Sequence, residues 1–206
     1  MPITEQEKFW CGNFGNIYIN RNKNKKVIKN NFFFFKKIFS SRFKIKSLIE
    51  FGPNIGLNII ALKKIFKLNF ITAVEINKKA CSELKDIKKL NITNDSIINF
   101  LPKKKYDLVL VKGLLIHLNP NKLKKVYKTI YKSCKPSGYI LIAEYYSPKP
   151  TMVIYRGESN KLFKRDFAGE FVSLFKKTKI LKYGFSYHRD KYPQDDLNWF
   201  LIKKYG

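Results

Sequence analysis

The stretch Glu50-Phe51-Gly52-Pro53-Asn54-Ile55-Gly56 decides the fold. It continues an apolar run from Ser47 that reads as a buried strand, and it leads straight into Leu57 to Phe66, whose apolar spacing is helical. Strand, glycine loop and helix in that order give the glycines a meaning that their spacing lacks. Gly52 permits backbone angles closed to other residues, and Gly56 lets the helix pack close to the strand. The middle position holds Asn54, whose side chain obstructs the close pyrophosphate approach of a dinucleotide, so NAD is disfavoured.

Working outward, Phe70 to Glu75, Tyr106 to Val111 and Tyr139 to Glu144 are short runs rich in β-branched and aromatic residues, with a further short strand at Leu90 to Thr93. Between them lie helical patterns at Lys78 to Lys89 and Asn121 to Cys134, the second opened by Asn119-Pro120 and ended by Pro136 and Gly138. This alternation predicts an α/β, Rossmann-like architecture with helices on both faces of a mostly parallel sheet. Leu162 to Lys176 is expected as an amphipathic helix, and Lys179 to Tyr187 and Leu197 to Lys203 as two late strands. Residues 1–45 are expected as a helical cap, in which Lys25 to Phe43 packs on the sheet through Phe32 to Phe35. Residues 46–206 are expected to form the core, with insertions around 144–196, all in a single domain.

The chain of 206 residues carries a formal charge of +27, which tempts one toward nucleic acid. Its make-up argues otherwise: only five of the 42 basic residues are arginine, the side chain that reads guanine edges and grips phosphate with two donors. The lysines are spread over nearly every segment, as on a solvated surface. Cys11, Cys81 and Cys134 are far apart and odd in number, which suggests neither a disulfide framework nor a zinc site, and no metal is expected. No run approaches a membrane span and the start carries Glu5 and Glu7 rather than a basic segment followed by an apolar run, so a cytoplasmic protein without membrane insertion is expected.

Three strand ends carry the candidate cofactor residues. About twenty residues past the glycine loop, the second strand closes on Glu75-Ile76, where a carboxylate accepts hydrogen bonds from ribose hydroxyls. The third closes on Asp95-Ser96-Ile97, suited to an adenine amino group and the two faces of its ring. The fourth closes on Lys112-Gly113 and leads to His117. An Asp-Pro-Pro-Tyr or Asn-Pro-Pro-Tyr sequence at that point would indicate transfer to an exocyclic amine of a nucleobase, and the chain has none.

The order of these elements resembles the class I S-adenosylmethionine-dependent methyltransferases. Several words resemble a narrower group, the pseudaminic acid biosynthesis-associated methylases: Glu7-Lys8-Phe9-Trp10, the glycine loop, Thr72-Ala73-Val74-Glu75, Lys112-Gly113-Leu114-Leu115-Ile116-His117, Ile142-Ala143-Glu144-Tyr145-Tyr146, Arg165-Asp166-Phe167, Tyr187-His188-Arg189-Asp190 and Gln194-Asp195-Asp196. The resemblance implies a seven-stranded sheet with an antiparallel last strand and S-adenosyl-L-methionine as cofactor. It implies transfer of the methyl group to O or N of a small polar acceptor, a sugar or sugar-nucleotide of surface-polysaccharide or nonulosonic acid synthesis; the arginines and tyrosines after the fifth strand suit an acidic sugar or nucleotide-linked sugar. RNA or DNA is the alternative acceptor, favoured by the charge. The cofactor residues expected are Trp10, Tyr18, Arg21, Glu50, Gly52, Asn54, Gly56, Glu75, Ile76, Asp95, Ser96, Ile97 and Lys112. Of these, Trp10, Tyr18 and Arg21 form a lid, and Arg21 or Lys112 meets the methionine carboxylate. His117, Glu144 and His188 are the candidate bases. Tyr145, Tyr146, Tyr155, Arg156, Arg165, Tyr187, Arg189 and Asp195 are expected around the acceptor, where three of the five arginines fall.

Overall fold

A computed structural model describes residues 4–21 and 24–206, apart from the side chains of Arg21 and Lys25. Five strands form the parallel part of one sheet: β1 (Ser47–Phe51), β2 (Phe70–Glu75), β3 (Leu90–Asn94), β4 (Tyr106–Lys112) and β5 (Cys134–Glu144). The late strands β8 (Thr178–Ser186) and β9 (Leu197–Lys204) complete a seven-stranded sheet of order β3-β2-β1-β4-β5-β9-β8. Only β9 runs against its neighbours β5 and β8, so the expected antiparallel last strand is observed.

The central parallel strands are largely apolar because both faces are covered: all five residues of β1 are buried. One face packs on the four-phenylalanine helix α3 (Lys25–Ile38), where Phe34, Phe35 and Ile38 meet Leu48 and Leu110, and on α4 (Leu57–Lys63). The other packs on α6 (Leu123–Ser133), whose Leu123, Val126, Tyr127 and Ile130 fall on one helical stripe, and on α7 (Phe167–Leu174). Helix α5 (Lys78–Leu84) follows β2. Two further helices, α1 (Glu5–Cys11) and α2 (Asn13–Arg21), precede α3. Thr4 caps α1 in a reciprocal box with Glu7: its hydroxyl accepts the Glu7 amide at 3.2 Å, and the Glu7 carboxylate accepts the Thr4 amide at 2.7 Å.

One expectation fails. The segment expected as a helix from Leu162 begins as strand β7 (Glu158–Lys164), paired antiparallel with β6 (Thr151–Tyr155) in a separate hairpin, and the helix is only α7. The turn between them is Arg156-Gly157, with φ of 53° and 84°. Two consecutive left-handed residues match the twist of a tight hairpin, and this outweighs the helical spacing downstream.

Candidate active site

The loop after β1 turns through three left-handed residues, Gly52 (φ 69°), Asn54 (φ 52°) and Gly56 (φ 78°). Asparagine is among the few side chains that tolerate this region. At Gly56 a Cβ would stand 2.4 Å from Ile87 Cδ1, so this glycine serves the packing of the loop on the segment after α5. At Gly52 it would stand 2.9 Å from Leu114 Cδ1, across from the end of β4. The loop is tied to β2 by Glu75: Oε2 accepts the Asn54 amide and Oε1 the Asn77 amide, both at 2.9 Å. Burial raises the Glu75 carboxyl above its ordinary value, and the amides of Asn77, Asn54 and Ile76 oppose the shift.

Above these strand ends lies a cavity. Gly52, Asn54, Glu75, Ile76, Asp95, Ser96 and Ile97 line its floor, while Trp10 and Tyr18 line it from α1 and α2. The segment carrying those two aromatics is clipped down by Asn77, whose Nδ2 donates to the Trp10 carbonyl and to Asn16 Oδ1, both at 3.0 Å. Gly15 makes this close approach possible, since a Cβ there would fall 1.9 Å from the Trp10 carbonyl oxygen. The β6–β7 hairpin holds the same helix from the other side: Lys161 pairs with Glu5, and Gln6 Nε2 donates to the Asn160 carbonyl at 3.0 Å.

His117 closes a 3-10 turn after β4 and lines this cavity beside Trp10, their rings 4.6 Å apart, with the Tyr155 ring at 4.9 Å. Its Nδ1 lies 2.7 Å from the Lys161 carbonyl, which only accepts, so the proton sits on Nδ1 and Nε2 keeps its lone pair. Burial lowers its pKa to about 4, opposed by that bond.

A second, open cavity adjoins the first, sharing Tyr18, Gly52, Asn54, Gly113 and His117. Lys112, Glu144, Tyr145, Tyr155, His188 and Asp195 are among its walls. Glu144 is buried at the end of β5, with Oε1 accepting the amides of Leu114 (3.0 Å) and Leu115 (2.9 Å). Glu50 is fully buried at the end of β1, with Oε1 accepting from Asn58 Nδ2 at 2.7 Å. Burial pushes both carboxyls up to about 7; hydrogen bonding and the Lys112 charge oppose it. Lys112, on β4 between them, is lowered by burial, while Asp195, Glu50 and Glu144 act to raise it. His188 Nδ1 sits 2.9 and 2.8 Å from the two carboxylate oxygens of Asp196.

Not every expected residue converges. Arg165 Nε is 2.6 Å from Glu170 Oε1, which also accepts the bond of Tyr127 through its other oxygen, so this arginine is held in the packing of α7. Arg165, Tyr146, Tyr187 and Arg189 are absent from the walls of both cavities. Arg156 reaches the second cavity from the hairpin turn, exposed, with its guanidinium carbon 5.5 Å from the Tyr155 ring centre. The side chain of Arg21 lies outside the described residues. Several contributors escaped sequence reasoning: Asn77 as a clip, Asn58 as the partner of Glu50, Asn30, Asn31 and Gln194 as polar walls, and Asp196 as the partner of His188. Isolated amides carry no motif, and only the Gly15 and Asn77 spacing from Trp10 in space reveals their use.

Comparison with known proteins gives the family. Residues 21–206 match the family described as Methyltransferase domain. One curated relative, the uncharacterized protein ycf80 of Guillardia theta, is 35% identical over 68 residues, 32% of this chain and 24% of that one, so the match spans about a quarter of that relative's length. Among solved structures, an S-adenosylmethionine-dependent methyltransferase from Clostridium acetobutylicum superposes with a TM-score of 0.64 at 14% identity, covering 94% of this chain and 98% of that one. The N-methyltransferase NodS of Bradyrhizobium japonicum, in complex with S-adenosylhomocysteine, gives 0.65 at 13% identity over 90% of each chain. The plantazolicin methyltransferase BpumL, also with that product, gives 0.67 at 14%, over 98% and 94%. The fold is that of the S-adenosylmethionine-dependent methyltransferases, and the chain belongs to the Methyltransferase domain family.

Proposed function

We propose that this protein transfers the methyl group of S-adenosylmethionine to O or N of a small polar acceptor, a sugar or sugar-nucleotide being the class its sequence resembles. The observation that carries this is the inner cavity, where Glu75 and Asp95 lie at the carboxyl ends of adjacent strands under an aromatic roof. The residues fit the cofactor. Glu75 keeps lone pairs beyond its two backbone bonds for ribose hydroxyls, and Ile76 and Ile97 offer apolar faces to adenine, with Asp95 at its edge. Asn54 Oδ1 and Asn58 Oδ1 lie on the cavity walls, buried without a hydrogen-bond partner among the described residues, which suits the ammonium of the methionine end; Glu50, bonded to Asn58, lines neither cavity.

When bound, the cofactor supplies an electrophilic methyl and a good leaving group; the chain supplies alignment, exclusion of water and a proton acceptor. Trp10, Tyr18, His117 and Tyr155 bring aromatic faces together at the junction of the two cavities, favourable surroundings for a positive charge. Glu144, near 7, is better matched as a base at neutral pH than His117, near 4. Titration calorimetry with S-adenosylhomocysteine and with NAD is the test. Binding of the first and not the second is expected, and a protein that binds neither would end this reading.

The charge favours RNA or DNA as the alternative acceptor. Labelled transfer to total tRNA under the same conditions would replace the small-molecule reading with that one.

A further inference from the structure

The charge of the cavities runs against that of the chain. Lys and Arg outnumber Asp and Glu by 42 to 15 in the sequence. Yet among the described residues the inner cavity is lined by three acids, Glu7, Glu75 and Asp95, and by no Lys or Arg, while the second carries Glu144 and Asp195 with Lys112 and Arg156. Lys112 stands among three carboxylates, Glu50, Glu144 and Asp195, so one positive charge serves all of them.

Hydrogen-bonding capacity points the same way. Among the described residues, the buried polar side-chain atoms lining the second cavity without a partner are Asn54 Oδ1, Asn58 Oδ1 and Glu144 Oε2, all of them acceptors. A carboxylate or phosphate brings only further acceptors, whereas an ammonium brings three donors and no acceptor. A buried carboxylate oxygen without a donor is costly, so a ligand that supplies one is favoured. The two asparagines lie at the glycine loop with Glu50, where the methionine ammonium is assigned above. Glu144 lies on β5, two strands from β1 and thus about 10 Å away, out of reach of that group. The Ile116 amide and the Lys112 charge also favour the carboxylate, and a second ligand in this cavity can supply a donor to Oε2.

We infer that the acceptor is an amine, held in the second cavity as an ammonium by Glu144 and Asp195 and methylated on its nitrogen. The inference rests on the S-adenosylmethionine reading and narrows its acceptor from O or N to N; it departs from the acidic acceptor expected from the arginines. In the step, the Glu144 carboxylate takes one N–H proton. The freed lone pair on nitrogen forms the new bond to the methyl carbon as the carbon–sulfur bond breaks, and that bond's electron pair stays on sulfur. A methylammonium, a neutral thioether and a protonated Glu144 result. Burial makes Glu144 a stronger proton acceptor than an ordinary carboxylate.

The test uses the protein saturated with S-adenosylhomocysteine and three matched probes, glucosamine, glucose and glucuronate, titrated by calorimetry, with labelled S-adenosylmethionine used separately to locate the transferred methyl. Glucosamine is expected to bind at least about tenfold tighter than the other two and to take label on nitrogen. Glu144→Gln and Asp195→Asn should each weaken it by about tenfold while leaving S-adenosylhomocysteine affinity unchanged. Asp195 is exposed, so its variant answers if the buried one does not fold. Tightest binding of glucuronate, equal binding of all three, binding of none, or label on oxygen overturns the amine acceptor and leaves the cofactor reading standing. Loss of S-adenosylhomocysteine binding in the unaltered protein sinks both.

Discussion

Asn77, at the start of α5, holds Trp10 of α1 by its backbone carbonyl, 67 positions earlier in the chain, at 3.0 Å. The same side chain accepts the Ala80 amide at 3.0 Å, capping α5, so one residue joins the strand end that carries Glu75 to the aromatic roof above it. Asn77→Ala should loosen the roof and weaken S-adenosylhomocysteine by roughly 5- to 100-fold, the worth of one or two buried hydrogen bonds. Gly15→Ala should act in the same direction, because its Cβ collides with the Trp10 carbonyl. Calorimetry on both, with circular dichroism as a check on the sheet, decides it; unchanged affinity in both variants would show that the roof does not hold the ligand.

Glu75→Ala removes the carboxylate that faces the inner cavity and anchors the Asn54 amide. A loss of about 1.5–3 kcal/mol, or roughly 10- to 150-fold in S-adenosylhomocysteine affinity, is expected. Full affinity in this variant would remove Glu75 from the ribose site.

His117 is kept neutral by burial, with its pKa at about 4 rather than near 6.5. A lowered value means stability that is present above about pH 6.5 and lost as pH falls through about 4, on the order of 3 kcal/mol. Glu50 and Glu144 act in the opposite sense, losing stability as pH rises from 4.5 toward about 7. The comparison of variants is therefore the useful one. His117→Gln should flatten the acid limb of a urea-midpoint profile between pH 6.5 and 4 relative to the parent, and superimposable limbs would contradict the burial account.

Lys112→Met withdraws the cation between Glu50 and Glu144. Leaving buried carboxylates uncompensated costs about 3 kcal/mol, or roughly 6–12 °C in melting temperature for a chain of this size. Adding Glu144→Gln should restore part of the loss, and a melting curve that ignores both changes would mean that the three charges are not coupled.

The sequence carried the sheet because its central strands are buried on both faces and so read as short, mostly apolar runs, as Leu108 to Val111 of β4 does. It carried Glu75 and Asp95 because a strand end is fixed by local order: wherever β2 and β3 stop, the next residues stand at the sheet's carboxyl edge. The hairpin β6–β7 was missed because its turn depends on two left-handed angles at Arg156 and Gly157, which the helical spacing downstream concealed.

By itself, then, the sequence determined the α/β sheet, the glycine loop and the strand-end carboxylates, all of which follow from short-range pattern. Tertiary structure decided the rest: that Asn77 reaches Trp10, that Lys112 stands among Glu50, Glu144 and Asp195, and that Arg165 turns to Glu170 while Arg189 stays outside the cavities. Those relations join residues far apart in the chain, and burial gives them their force. A carboxylate such as Glu144 differs from any other only once packing has taken it from water and matched one of its oxygens with amides, leaving the second without a partner.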